Sequence, residues 1–190
     1  MYDKEWYEGL RSARIWNMRA LWAVYAHLGM PRSFVDFGCG DGITVFTARR
    51  CGTEHAVGVE LSAEVLDVAL PGTTIEIHDL SQPIDMGRQF ELVWSCEVGE
   101  HLPEEAADEY VKTLTKHLVS GGWMIFTAAT VGQGGYNHIN CQLQEYWREK
   151  ITAQGINFMP QATDRIRETW AWATGPLVWL PQNIQVFRAP

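Results

Sequence analysis

The chain has little that would suit a membrane, a secretory route or a nucleic-acid duplex. No stretch approaches the roughly 20 apolar residues that a membrane-spanning helix needs. Met1-Tyr-Asp-Lys-Glu lacks the basic and apolar pattern of a signal peptide. Positive charge is scarce, because 15 Lys and Arg against 23 Asp and Glu leave a formal net charge of −8. Duplex binding depends largely on neutralising phosphates, so a duplex partner is not expected. Cysteines are few and scattered: Cys39, Cys51, Cys96 and Cys141 show neither CxxC nor Cys–His ligand spacing. That indicates neither a zinc site nor a disulfide framework. Dispersed thiols fit a reducing, cytoplasmic setting. Repeats and low-complexity tracts are absent.

The composition is that of a soluble globular protein, with 46% hydrophobic and 20% charged residues. A chain of 190 residues is expected to form one domain with a substantial core. Nine tryptophans are unusual, and they fall mostly in the N-terminal third and from Trp123 onward. Their bulk favours core packing, with a ring-lined pocket as the alternative. Arg11, Arg14, Arg19 and Arg32, like the distant Arg165 and Arg167, read as solvated helix faces.

The densest signal is Phe34-Val-Asp-Phe-Gly-Cys-Gly-Asp-Gly42. An apolar run reads as a buried parallel strand and breaks into three alternate glycines, which permit a tight turn and close approach to a ligand. A strand–glycine turn–helix unit holds a nucleoside-containing ligand at the carboxyl edge of a sheet. The dinucleotide fingerprint requires a further Gly or Ala where this chain has Ile43. Asp36 would repel a pyrophosphate and suits a ligand bearing an ammonium group. A nicotinamide-dependent oxidoreductase is disfavoured on both grounds.

Periodicity predicts amphipathic helix over 5–28, its stripe formed by Ile15, Met18, Leu21, Trp22, Tyr25 and Leu28. Strands are expected near 33–37, 56–60 and 74–78, with helices at 42–51 and 63–69, the latter capped by Ser62. A helix over 103–118 starts at Pro103 and stops at Gly121-Gly122, before a strand at 123–128. A helix at about 141–153 and another at 161–172 follow, with strand signals at 156–159 and 183–188. Alternating strands and helices give an α/β sheet.

These segments together resemble the class I S-adenosylmethionine-dependent methyltransferases. The glycine turn is similar to their first motif. Val57-Gly-Val-Glu-Leu61 looks like the second strand, Ile77-His-Asp-Leu80 the third, and Phe90 to Pro103 the fourth strand and the motif after it. Gly121 to Ala128 looks like the fifth strand. Glu91 stands where relatives usually carry Asp. The pattern His138-x-Asn140-x-Gln142-x-x-x-Tyr146-Trp147 looks like one found in small stand-alone methyltransferases of bacteria and their viruses. The resemblance implies a Rossmann-like sheet, mostly parallel with an antiparallel edge strand and helices on both faces. Residues 1–30 would form a helical lid or edge, 31–130 the cofactor-binding core, and 131–190 the substrate loop, helices and closing strands.

It also implies a chemistry. S-adenosyl-L-methionine would be the donor and S-adenosyl-L-homocysteine the product, with no metal required. Donor contacts would come from the backbone at Gly38 and Gly40 and from the carboxylates of Asp36, Glu60 and Asp79, with Leu61, Leu80 and Ser95 beside them. Glu97-Val-Gly-Glu-His101 would lie opposite the methyl group. His101 is the preferred general base because an imidazole titrates near neutrality, and Glu97 and Glu100 are alternatives. The glycine-rich loop 130–140 would admit the acceptor, with Tyr136, His138 and Asn140 as contacts. For each there is a plainer reading: strand-end acids for the carboxylates, a helix-capping role for His101, His138 and Asn140, and loop packing for Tyr136. DNA-directed chemistry is disfavoured by the absence of an Asp/Asn-Pro-Pro-aromatic tetrapeptide and of a Pro-Cys nucleophile. The expectation is therefore a methyltransferase acting on O or N of a small polar molecule, as a monomer or homodimer. Alternatives are a protein or RNA methyltransferase and a cofactor-binding regulatory or scaffold module without catalysis.

Overall fold

The computed structural model describes residues 3–190. Seven strands form one sheet: β1 (Ser33–Phe37), β2 (His55–Glu60), β3 (Ile75–Ile77), β4 (Phe90–Cys96), β5 (Leu118–Thr127), β6 (Asn157–Phe158) and β7 (Gln185–Arg188). Their order is β3-β2-β1-β4-β5-β7-β6. The first five are parallel, while β7 runs antiparallel to both β5 and β6. The sheet switches direction of winding between β1 and β4, which opens a crevice at their carboxyl ends.

Helices cover both faces: α1 (Lys4–Gly9), α2 (Arg14–Leu28), α3 (Ile43–Cys51), α4 (Ala107–Lys116), α5 (Gln144–Ala153), α6 (Pro160–Ala173) and the short α7 (Trp179–Asn183). Alternate strand residues feed opposite layers. Val35, Phe37, Val57 and Val93 pack with Tyr110, Leu114, Trp147 and Ile151 of α4 and α5. Phe34, Leu92, Trp94 and Ile125 pack with Leu21, Val24, Ile166 and Trp170 of α2 and α6. Strands buried on both faces must be apolar at successive positions, which is why β1 and β4 read as continuous hydrophobic runs.

The N-terminal helix is broken where the sequence suggested continuity. Asp3 caps α1 by accepting from the Trp6 amide at 2.9 Å, a 3₁₀ turn spans Leu10–Ala13, and α2 follows. The break lets Tyr7 reach inward while α2 lies along the sheet. The buried face of α2 is Ala20, Leu21, Ala23 and Val24, whereas Ile15 and Trp22 are exposed. Small residues on this face let α2 approach α6 closely, and Trp170 of α6 donates its indole N–H to the Ala20 carbonyl at 3.0 Å. Three further differences are local. Residues 63–67 form a 3₁₀ turn instead of a helix, capped by Ser62. Helix α4 ends at Lys116, and Gly121-Gly122 lie inside β5, whose pairing with β4 shifts register between Phe90 and Leu92. Helix α7 was not anticipated.

Candidate active site

A cavity of about 360 Å³ occupies the crevice at the carboxyl ends of β1, β2 and β4. Each strand delivers an acid to its wall or rim. Asp36 ends β1, is 3% exposed and accepts a hydrogen bond from the Thr44 hydroxyl. Burial pushes its carboxyl up to about 7, against the pull of Thr44. Glu60 ends β2. Its Oε2 accepts from the Gly40 amide at 2.9 Å, and its Oε1 from the Leu61 amide at 2.9 Å and the Tyr7 hydroxyl at 3.2 Å. Asp79 follows β3, lies exposed at the rim, and accepts from the amide and hydroxyl of Ser81. Leu61 and Leu80 also line the cavity.

Between these acids the glycine turn brings backbone against ligand space. Gly38 has φ +79°, and a Cβ there would stand 2.4 Å from Val98 Cγ2. Gly40 also lines the cavity with φ +51°. A side chain would both strain the backbone and fill the floor of the crevice. Ser95 lies elsewhere: fully buried, its hydroxyl pairs with Tyr110 at 2.7 Å, while its neighbours Trp94 and Cys96 line the cavity. Burial holds the thiols of Cys39 and Cys96 protonated, pushing both well above the ordinary range.

The N-terminal segment contributes Trp6, Leu10, Ala13 and Asn17 to the cavity wall. Arg14, expected on a solvated face, donates from Nε to Asp41 Oδ2 at 2.7 Å; Asp41 is 1% exposed and also accepts from the Ile43 amide. Neither residue was expected at the site from the sequence, though Asp41 sits within the glycine motif. Arg167 likewise has structural work, donating to the carbonyls of Pro181 and Ile184 and so fixing α7. Trp179 and Leu180 of α7 complete the lining opposite the N-terminal segment.

The far end carries Glu97 and His101. Glu97 adopts φ +55°, the left-handed region that a side chain seldom occupies and that clusters at functional sites. Its carboxylate accepts from Asn183 Nδ2 at 3.2 Å and Gln133 Nε2 at 3.3 Å, and burial raises its pKa. His101 follows in a 3₁₀ turn, Gly99–His101, that rests on the indole of Trp147; a Cβ at Gly99 would meet that ring at 2.6 Å. Its Nδ1 faces the Asn137 carbonyl at 3.1 Å, and burial lowers its pKa. An imidazole beside a carbonyl acceptor keeps its proton on that nitrogen, leaving Nε2 as the lone-pair atom.

The loop after β5 folds back onto this turn. The amides of Ile139 and Asn140 both donate to the Glu100 carbonyl at 2.9 Å. His138 is thereby set edge-on to His101, ring centroids 4.9 Å apart. Asn137 lines the cavity, whereas Tyr136 is 61% exposed and Asn140 is buried with its side-chain oxygen held by Gln142. Glu100, His101 and His138 offer ligand atoms within 4.8 Å of one another, a cluster that sequence spacing had not suggested.

Residues 17–166 match the family model described as a methyltransferase domain. The chain belongs to the class I S-adenosylmethionine-dependent methyltransferase family. It is 34% identical over 105 residues to the chloroplastic tocopherol O-methyltransferase of Arabidopsis thaliana, a match covering 50% of this chain and 29% of that protein. The chain spans about a third of the length of the curated relatives it matches. Its fold is shared with the donor-bound amino pentose methyltransferase CalS10 of Micromonospora echinaspora, at TM-score 0.72 and 16% identity over 97% of this chain and 96% of that one. The [4+2]-cyclase SpnF has the same fold at TM-score 0.65 and 16% identity, covering 91% and 80% of the two chains. The fold alone therefore leaves the methyltransferase's reaction open.

Proposed function

We propose that this methyltransferase moves the methyl group of S-adenosyl-L-methionine to an O or N atom of a small polar acceptor such as a sugar or metabolite. The observation that carries this reading is the convergence of Asp36, Glu60 and Asp79, from the ends of three adjacent strands, on one cavity that also reaches Glu97 and His101. The donor's amino-acid tail would lie over the glycine turn, its ammonium near Asp36. Glu60 would exchange its Tyr7 and Gly40 contacts for the ribose hydroxyls, and Asp79 would meet the adenine amino group.

In the transfer, the acceptor's lone pair forms a bond to the methyl carbon as the carbon–sulfur bond breaks, and that electron pair stays on sulfur. The acceptor's proton has two places to go, His101 Nε2 and the Glu97 carboxylate. The lowered pKa of His101 keeps its ring neutral and able to accept. Trp6 and Leu10 on one side and Trp179 on the other narrow the cavity, which supports a small acceptor over a polymer. The sugar class is supported by the polar loop 130–140 and by the structural likeness to an amino pentose methyltransferase.

Isothermal titration with S-adenosylmethionine and S-adenosylhomocysteine tests the donor claim. Saturable binding of both is expected, and well-folded protein that takes up neither at millimolar ligand sinks it. Mass spectrometry after incubation with a metabolite and glycan panel tests the acceptor, where a mass gain of one methyl group is expected. A second reading is a cofactor-binding regulatory or scaffold module without catalysis, since the same fold also carries a cyclase. Tight donor binding with no methylated product from any acceptor would establish that reading.

A further inference from the structure

Glu100 poses a problem that methyl transfer does not solve. Its side chain is 0% exposed, yet among the described residues neither carboxylate oxygen has a hydrogen-bond partner. Burial and the nearby Glu97 raise its pKa, so the carboxyl is hard to ionise where it stands, and a buried carboxylate is normally paired or bound to a metal. The two imidazoles beside it are arranged to supply what is missing. His101 presents Nδ1 to the Asn137 carbonyl at 3.1 Å, and His138 presents Nδ1 to the Gln133 carbonyl at 3.2 Å. A carbonyl only accepts, so both rings hold their proton on Nδ1 and turn an Nε2 lone pair the other way. A backbone carbonyl on the second nitrogen is how metal-bound histidines are commonly oriented.

The geometry points to a divalent-cation site formed by Glu100, His101 and His138. His138 Nε2 lies 4.0 Å from Glu100 Oε1, and the three ligand atoms sit within 4.8 Å. Neighbouring ligands on one ion at about 2.1 Å are roughly 3.0 to 3.4 Å apart, so the pair at 4.0 Å must close by about 0.6 to 1 Å and a pair at the 4.8 Å limit by rather more. Two imidazoles with one carboxylate suit first-row ions such as Mn²⁺ or Zn²⁺ better than Mg²⁺ or Ca²⁺. The site is built from two segments joined by the paired amides of Ile139 and Asn140 on the Glu100 carbonyl, so the loop 130–140 would order around the ion.

His101 also lines the donor cavity, so the ion's open positions face the acceptor end. This consequence rests on the methyl-transfer reading above. An acceptor hydroxyl bound to the ion would lose its proton more readily, the proton passing to Glu97, while its oxygen takes the methyl group as the carbon–sulfur bond breaks. A hydroxyl oxygen then becomes the favoured acceptor over an amine.

The test is metal binding itself, measured without turnover. Protein stripped with a chelator is titrated with Mn²⁺ by electron paramagnetic resonance and with Zn²⁺ by calorimetry, for the wild type, Glu100→Gln and His138→Ala. One ion per chain is expected for the wild type, with at least tenfold weaker binding in each variant and unaltered donor titration. No stoichiometric uptake of either ion at millimolar concentration, or equal uptake by the variants, overturns the site. Should Glu100→Gln fail to fold, His138→Ala, on a surface loop, decides alone. Ion uptake without donor binding would leave this site standing and remove the methyl-transfer reading instead.

Discussion

At the scale of single residues, two positions bear on the proposed donor site. Asp36 is the more informative because burial sets its charge. Its carboxyl titrates near 7 in the fold against about 4 in an unfolded chain. The folded state therefore holds a proton that the unfolded state has lost between those values. Its contribution to stability is fully present below about pH 4 and is lost as pH rises through about 7, at up to roughly 1.4 kcal/mol per pH unit. Urea unfolding of ligand-free wild type and Asp36→Asn at pH 5 and pH 8 checks this: the variant is expected to gain on the wild type at the higher pH. A donor ammonium reverses the preference by favouring the ionised carboxylate. Donor affinity should then rise with pH through 7 and release a proton, read as buffer-dependent binding heats that Asp36→Asn lacks. Gly38 is the second position. Gly38→Ala places a methyl 2.4 Å from Val98 in a left-handed backbone, so we expect a stability loss of about 1–3 kcal/mol and donor affinity at least tenfold weaker.

At the scale of elements, the N-terminal segment works as a clasp over the cavity. It is held by Arg14 on Asp41, by Tyr7 on Glu60, and by the Lys4 amide on Glu64 Oε2 at 2.9 Å. Arg14→Ala leaves Asp41 buried with only the Ile43 amide, and the fold should lose about 1–3 kcal/mol as a result. Donor dissociation should quicken more than association slows, since the segment roofs a bound ligand; stopped-flow measurement of both rates checks this. Tyr7→Phe removes one hydrogen bond worth about 1 kcal/mol but keeps the ring. Because Glu60 would release Tyr7 on taking the ribose hydroxyls, the donor Kd should stay the same or fall slightly. An equal effect from both variants would mean that the clasp acts through packing and not through its ion pair.

At the scale of the whole molecule, α2, α6 and the sheet meet at Trp170, which is fully buried, packs tilted against Trp94 with ring centroids 5.8 Å apart, and donates to the Ala20 carbonyl. Trp170→Ala should cost about 3–5 kcal/mol, seen as a lower denaturation midpoint. Donor at a hundred times its Kd should restore about 2.7 kcal/mol, since binding stabilises only the folded crevice. This linkage separates damage to the core from damage to the site: a core variant keeps the ligand-induced shift, and a site variant loses it.

Legible in the residues alone were the order of the strands along the chain and of most helices, the glycine turn, and the acids at the ends of β1 and β2 and after β3. All of these are local: two-residue alternation, buried apolar runs and residues that tolerate positive φ are written within a few positions of one another. The expected α/β architecture with an antiparallel edge strand is the one observed, whereas the continuous N-terminal helix and the glycine stop after α4 were not. Periodicity records which residues are apolar. It does not record which of them a neighbouring element will cover, so Ile15 and Trp22 were placed in a buried stripe that Ala20, Ala23 and Val24 occupy. Only the tertiary structure decided what lies across the cavity. Arg14 meets Asp41 over 27 residues, Asn183 meets Glu97 over 86, and His138 is brought to Glu100 by a loop that donates its amides to one carbonyl. Spacing along the chain carries no trace of such contacts, because their energy comes from exclusion of water and from partners that become neighbours only when the sheet has closed.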